Sequence, residues 1–444
     1  MAGSICVHRG HILLVGLSSK AFYDAEGQST FPSIAAATHP PPISYEARQD
    51  LFKHCKSFLV GQDYPTGWFL TPDFKREDVV HWILWALFSA DRAEPEWEEE
   101  INEYVSQIEE ILDRKLKRGS NETLVTESKS MRLTFDPVVT LHRPFIWYTI
   151  VGGVDLFSSL SIRSQGFHHY ATPKWFSAFP PRPLTLLSKR SAHPDLSYSY
   201  RPHRSQTKLP IVFLHGIGIG TWPYLPFFFD IVKQDPDVGI LVIEILPISM
   251  HMTRPPLPSQ EFTAGFTAIL DSLALPRVVI ASHSYGTVLT AHILHDAHLK
   301  ERVAATLLID PIPFLLHLPS VAHNFVYRKP KTANEWQLWY FASRDADVSR
   351  ALSRHFFWAE NVLWKEELEG KMVGVVLSGE DQIVEAEHVR KYLTGEDIAQ
   401  NRWVNKDGGL EVLFYPGLDH AMVFDTKTRR AAVLDILHRF VRLE

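Results

Sequence analysis

A chain of 444 residues, 45% hydrophobic and with a formal net charge of -6, can bury a large core and accommodate roughly two or three structural units. The acidic balance removes the electrostatic case for a nucleic-acid partner. Its two cysteines, Cys6 and Cys55, cannot build a disulfide framework and read as free, mainly solvated thiols of a reducing compartment. The start of the chain offers only the short apolar run 12–17, with no basic cluster before it and no convincing cleavage site after it. That predicts an intracellular protein, cytoplasmic or peripherally membrane-associated.

Residues 1–170 read as a helical N-terminal region. Mixed apolar faces run through 44–60 and 73–91, and the pattern is clearest over 94–118, where Trp97, Ile101, Tyr104, Val105, Ile108, Ile111, Leu112 and Leu116 recur at three-to-four spacing. Acidic first turns, a basic last turn and Gly119 just beyond agree with the helix dipole and a C-terminal stop. The segment 144–164 is apolar nearly all round, broken by Gly152, Gly153 and Asp155. It is about long enough to cross a bilayer, which takes ~20 apolar residues, yet Asp155 near its centre would cost roughly 2.5 to 3.5 kcal/mol there. It therefore reads first as a helix buried against the rest of the protein, next as one lying in a membrane interface, and least as a span. With the apolar stretch 79–88, it keeps peripheral membrane contact through the N-terminal region in view. The pair His168 and His169 reads as loop rather than metal ligand, and no His-Glu-x-x-His or Cys-x-x-Cys spacing occurs.

Residues 171–195 form an irregular, proline-rich linker, after which Leu196, Tyr198 and Tyr200 alternate as in a strand. Strand and helix patterns then alternate regularly. Strands are predicted near 211–215, 238–245, 277–282, 303–309, 372–378 and 410–415, with helices near 221–234, 259–274, 285–299, 384–394 and 427–442. Such alternation gives an α/β fold with a mainly parallel sheet, helices on both faces and a site at the carboxyl ends of the strands. The core spans 196–310 and resumes over 372–444. The interval 311–371 is a helical cap or lid insertion, rich in large rings such as Trp336, Trp339, Phe357 and Trp358. Those rings read first as the packing of the cap itself and second as walls of an apolar substrate chamber.

Within the third of these strands and the following helix, Ser282-His283-Ser284-Tyr285-Gly286 has the character of a nucleophile elbow: an apolar run, small residues around one serine, then a helical pattern. A serine hydroxyl needs a base within hydrogen-bond reach and donors aimed at the developing oxyanion. The usual pattern is Gly-x-Ser-x-Gly, and Ser282 stands where the first glycine is expected. Upstream, His215-Gly216-Ile217-Gly218-Ile219-Gly220 follows a buried strand, and its glycines allow close backbone approach to a substrate oxygen. The oxyanion hole is assigned to the amides of Ile217 and Tyr285, with His215, Gly216 and Gly218 near the substrate. Downstream, Asp381 follows a strand and is the favoured acid, with Asp310 and Glu380 as competitors; Asp419-His420 follows the last strand and supplies the base. The acid would fix the imidazole tautomer and stabilise the imidazolium formed during attack.

From about Leu196 to the C-terminus the chain resembles the α/β-hydrolase superfamily, and more narrowly a group of largely uncharacterised fungal α/β-hydrolase proteins. The narrower likeness rests on 215–220, Ile245-Leu246-Pro247-Ile248-Ser249, 282–286, Leu308-Ile309-Asp310-Pro311 and Arg354-His355-Phe356-Phe357-Trp358. The superfamily implies the Ser-acid-His roles for Ser284, Asp381 and His420; the narrower group implies no substrate. A serine at the elbow points to acyl transfer to water without a cofactor, on a small-molecule apolar ester, lactone or thioester, with a medium-to-large lipophilic acyl or aromatic ester favoured over a small polar one. A lyase or carbon-carbon bond hydrolase using the same triad, and a non-catalytic binding protein, are the alternatives. Oligomeric state is not legible.

Overall fold

The computed structural model describes residues 37–56, 66–70, 72–120, 130–141, 143–172 and 177–442, with the backbone of the short strands Ser4–His8, His11–Val15 and Gln28–Thr30. The side chain of Cys6 lies outside them. Cys55 is buried rather than solvated, because it sits on the inward face of helix α1 (Tyr45–Lys56), where burial pushes its thiol up to about 12.

The organising element is a nine-stranded mixed sheet. In chain order its strands are β1 (His168–Tyr170), β2 (Ser197–Arg201), β3 (Ile211–Leu214), β4 (Ile240–Glu244), β5 (Val278–His283), β6 (Val303–Ile309), β7 (Met372–Ser378), β8 (Arg402–Val404) and β9 (Leu410–Tyr415). They lie side by side in the order β8-β9-β7-β6-β5-β3-β4-β2-β1. The central strands pair in parallel, and antiparallel strands close both edges. Strands β3 and β5 are buried along their whole length, as expected of β-branched runs covered on both faces.

Alternate residues feed two cores. Phe213, Val279 and Leu307 point to one, with Phe227, Phe228, Leu437 and Phe440 of the helices Leu225–Gln234 and Lys427–Phe440. Val212, Ile280 and Leu308 point to the other, shared with the helices Ser259–Ser272 and Tyr285–His295, the insertion between β6 and β7, and the N-terminal helices. The N-terminal region is therefore packed into the second core. Trp68 Nε1 donates to the His317 carbonyl at 3.1 Å, Trp358 Nε1 to the Ala86 carbonyl at 2.9 Å, and the Tyr327 hydroxyl to Asp136 at 2.6 Å.

Four expectations need correction. The helix expected over 94–118 is α3 (Glu98–Ile111), after a single 3-10 turn at Pro95–Trp97; Asp113 takes a left-handed φ of 49°, and Glu109 folds the chain back by accepting from the Leu116 amide and Lys115. The helix expected over 73–91 is α2 (Arg76–Ile83), continued by the wider turn Leu84–Phe88 and stopped by Ser89 at a positive φ of 51°. His168 and His169 belong to an edge strand, with His169 Nε2 3.0 Å from Glu244. Helix α4 (Phe145–Ser164) is mostly exposed rather than buried: only 17% of its most apolar stretch is covered, and Asp155 turns inward to Arg182 at 3.0 Å.

Candidate active site

Strand β5 ends at His283, and Ser284 turns the chain into the helix Tyr285–His295 with φ 50° and ψ -122°, a backbone region that a side chain rarely adopts. The turn is so tight that its neighbours must be small. A Cβ on Gly286 would stand 2.1 Å from the Leu214 carbonyl oxygen, and one on Gly216 would stand 2.7 Å from the Cβ of Ser284. At the position where glycine is usual, Ser282 is fully buried and accepts a 2.8 Å hydrogen bond from Thr290, in the second turn of the helix. A satisfied hydroxyl of minimal bulk is thereby accommodated.

Three strand-end loops meet at this elbow. His420, in the loop after β9, brings Nε2 to 2.9 Å from Ser284 Oγ and Nδ1 to 2.6 Å from Asp381 Oδ2, in the loop after β7. The other oxygen of Asp381 accepts from the amides of Ile383 and Val384 at 2.8 and 3.0 Å, which fixes the carboxylate plane. Burial opposes a charge on His420, but Asp381, aided by its hydrogen bond and by Asp310 and Asp419, outweighs it and raises the imidazole to about 9. Of the competing acids, Glu380 is exposed. Asp310 is occupied elsewhere: its oxygens accept from the Ser378 and Ala421 amides, both at 2.9 Å, tying the acid-bearing strand to the loop that carries His420.

On the opposite flank, the Gly216 amide donates to the Tyr224 hydroxyl at 3.1 Å and the Gly218 amide to the Ile248 carbonyl at 3.1 Å. Between them Ile217, and across from it Tyr285 at the first position of its helix, have amides that donate to no protein acceptor among the described residues. Paired, unaccommodated donors beside a serine suit an incoming oxygen.

The expected pocket residues divide. Phe357 and Trp358 line a cavity of about 1050 Å³, together with Tyr285, Leu289, His292, Trp85 and Pro41. Ser284 and His420 do not line it, and neither do His215, Gly216, Gly218, Trp336 or Trp339. His215 is a buried brace, accepting from the Ile245 amide through Nε2 and donating to the Gly216 carbonyl through Nδ1, with burial lowering it to about 4. Gly216 and Gly218 are held by the backbone bonds already described. Trp336 is half exposed against Trp339, whose ring also meets the buried Arg344, so Trp336 packs on the outer surface of the insertion.

The sequence profile of the alpha/beta hydrolase family matches residues 211–435, a little over half the chain, which includes β3 through β9 and all three loops. The chain belongs to the alpha/beta hydrolase family. As a member it is a hydrolase of small molecules. Among solved structures this alpha/beta hydrolase is similar to a putative aryl esterase from Burkholderia cenocepacia, at 15% identity over 55% of this chain and 95% of that one, with a TM-score of 0.37. It is similar too to carboxylesterase CesB from Bacillus subtilis, at 14% identity over 55% and 87% with a TM-score of 0.38. A third is 2-hydroxy-6-oxo-6-phenylhexa-2,4-dienoate hydrolase from Rhodococcus sp. strain RHA1, at 14% identity over 57% and 97% with a TM-score of 0.40. No curated protein matches the chain.

Two features of this hydrolase lay beyond sequence reasoning. Ligand atoms of Asp310, Asp381 and His420 fall within 4.8 Å of one another, a spacing a metal could use, but both ring nitrogens of His420 already have partners in Ser284 and Asp381. Behind the elbow, Tyr224 bridges Gly216 to His283 Nδ1 at 2.8 Å. A tyrosine on the helix after the glycine loop carries no motif that would have singled it out.

Proposed function

We propose that this protein is a serine hydrolase that cleaves a carboxylic ester, lactone or thioester with a lipophilic portion, through an acyl-enzyme on Ser284. The observation that carries the reading is the continuous relay from Ser284 Oγ to His420 Nε2 at 2.9 Å and from His420 Nδ1 to Asp381 at 2.6 Å. In the first step the Ser284 oxygen bonds to the carbonyl carbon while its proton passes to His420 Nε2. Negative charge gathers on the carbonyl oxygen, where the amides of Ile217 and Tyr285 receive it. The tetrahedral species then collapses, the bond to the leaving group breaks, and His420 returns the proton to that group. Water attacks the acyl-enzyme with the same proton transfers in reverse order, releasing the acid. Asp381 holds the tautomer with its proton on Nδ1 throughout. No step draws on a cofactor. The likeness to the fungal group is retained as part of this proposal and adds no substrate.

The test is a fluorophosphonate probe followed by p-nitrophenyl esters of rising chain length and a set of lactones. Labelling at Ser284 that disappears in Ser284→Ala, with turnover rising with acyl length, is the expected result. Well-folded protein that neither labels nor turns over any of the panel would make it a binding protein on a hydrolase scaffold.

A further inference from the structure

Helix α4 is inside out. Its outward face carries Phe145, Ile146, Ile150, Leu156, Phe157 and Leu160, all exposed, while Asp155 and Ser158 face the protein. Asp155 is neutralised there by Arg182, and the Ser158 hydroxyl donates to the Val154 carbonyl at 2.7 Å. A water-facing helix gains by the opposite arrangement. Its outward residues leave in solvent the surface whose burial would stabilise most.

The face also has neighbours that extend it. Phe157 meets half-exposed Trp222 at 5.2 Å, just past the glycine loop that abuts Ser284, and Trp147 meets exposed Phe341 of the insertion at 5.6 Å. Arg182, bonded to the middle of α4, opens the turn Pro183–Leu187, which exposes Leu186 and Leu187. The apolar surface thus reaches both the loop beside the serine and the insertion. Exposed cations accompany it along the chain: Arg163 on the last turn of α4, and Lys189 and Arg190 two and three residues after Leu187. The one carboxylate of α4, Asp155, points away.

We propose that α4 is a membrane-docking element that lies flat in the headgroup region of an anionic phospholipid bilayer, with its outward side chains in the acyl boundary. Val151, Ser158, Ile162 and the Asp155–Arg182 pair fasten it along the protein, so it lies in the surface instead of crossing it. These cations select the occupant. Lipid phosphates and carboxylates complement Arg163, Lys189 and Arg190, whereas a second copy set against the same face offers no outward carboxylate on α4 to pair with them. Resting on the proposed hydrolase activity, the substrate class narrows to acyl esters dissolved in that membrane, presented to the loop beside Ser284.

The experiment is flotation of the full-length chain with vesicles of equal parts phosphatidylcholine and phosphatidylserine, and with phosphatidylcholine alone. The intact protein floats with the mixed vesicles. The double variant Ile146→Glu/Leu160→Glu, at two exposed positions outside the site, loses partition by roughly tenfold per residue while keeping turnover of a short soluble ester. Reversing Arg163, Lys189 and Arg190 to Glu costs at least roughly fivefold per charge on the mixed vesicles. Intact protein that stays at the bottom of the gradient overturns the proposal, as does flotation indifferent to the double variant. A concentration-dependent dimer broken by that variant, without flotation, assigns the face to a second copy instead. Turnover is read on the intact protein and flotation also on Ser284→Ala, so intact protein that docks but turns over no ester sinks the hydrolase reading and leaves the docking element standing.

Discussion

Replacing Asp381 by asparagine should remove most of the rate without unfolding the protein, and the reason lies in two amides. Ile383 and Val384 donate to one oxygen of Asp381, while the other oxygen faces His420 Nδ1 at 2.6 Å. In Asp381→Asn only the amide oxygen can accept from the two backbone donors, so the NH₂ group is forced toward Nδ1. The imidazole must then place its proton on Nε2, facing Ser284 Oγ, and cannot take the serine's proton. By the serine-protease precedent the wrong tautomer costs up to ~10⁴-fold in kcat, about 5.4 kcal/mol of barrier. The assay is steady-state hydrolysis of a p-nitrophenyl ester, with a thermal melt as the folding control. Asp310→Asn supplies the contrast. Both its oxygens accept backbone amides, at Ser378 and Ala421, so one donor must oppose the new NH₂ group; stability falls by roughly 1–3 kcal/mol, with turnover lowered as the His420 loop loosens. A normal rate in Asp381→Asn, with a near-complete loss in a stable Asp310→Asn, would refute the assignment of the acid.

The pH profile follows from the sign of one shift. His420 must be neutral to accept a proton, and its neighbours raise it to about 9, so kcat/KM climbs with pH along a limb near that value instead of the ordinary imidazole range; a limb at the usual histidine value contradicts the electrostatics described. Gly286→Ala should destabilise the elbow by roughly 1–3 kcal/mol or more, because the added carbon meets backbone and not a yielding side chain, and an unchanged denaturation midpoint would mean the elbow has room to relax.

What could be read from the chain alone tracks how local each cause is. Strands β3 to β7 and β9 announce themselves because a strand buried on both faces must be a continuous apolar run, and Ser284 does so because the elbow tolerates only small neighbours. Strand β1 was not legible: three residues, His168–Tyr170, are strand only because β2 pairs with them. The choice between Asp310 and Asp381 was open for a related reason. Both follow a strand, and only the arrangement of loops in space sends one to His420 Nδ1 and the other to amides. The exposure of α4 was misjudged because hydrophobicity says that a face must be covered, not by what.

The loops that deliver Ser284, Asp381 and His420 are also tied to one another by bonds in which the relay takes no part. Gly216 donates to Tyr224, and Tyr224 donates to His283 Nδ1, which places the ring proton of His283 on Nε2, facing Asp310 at 3.7 Å. That last approach is too long for a hydrogen bond, so its contribution is the attraction of a buried carboxylate for the N–H dipole. Asp310 then holds the Ala421 amide, one residue beyond His420, and the Ser378 amide, three before Asp381. Burial lowers His283, keeping it neutral near pH 7, so this second chain persists unchanged while His420 cycles between imidazole and imidazolium. The oxyanion loop, the base loop and the acid loop are thus spaced before any substrate arrives. That is what electrostatic preorganisation requires of donors that must not reorganise as charge develops.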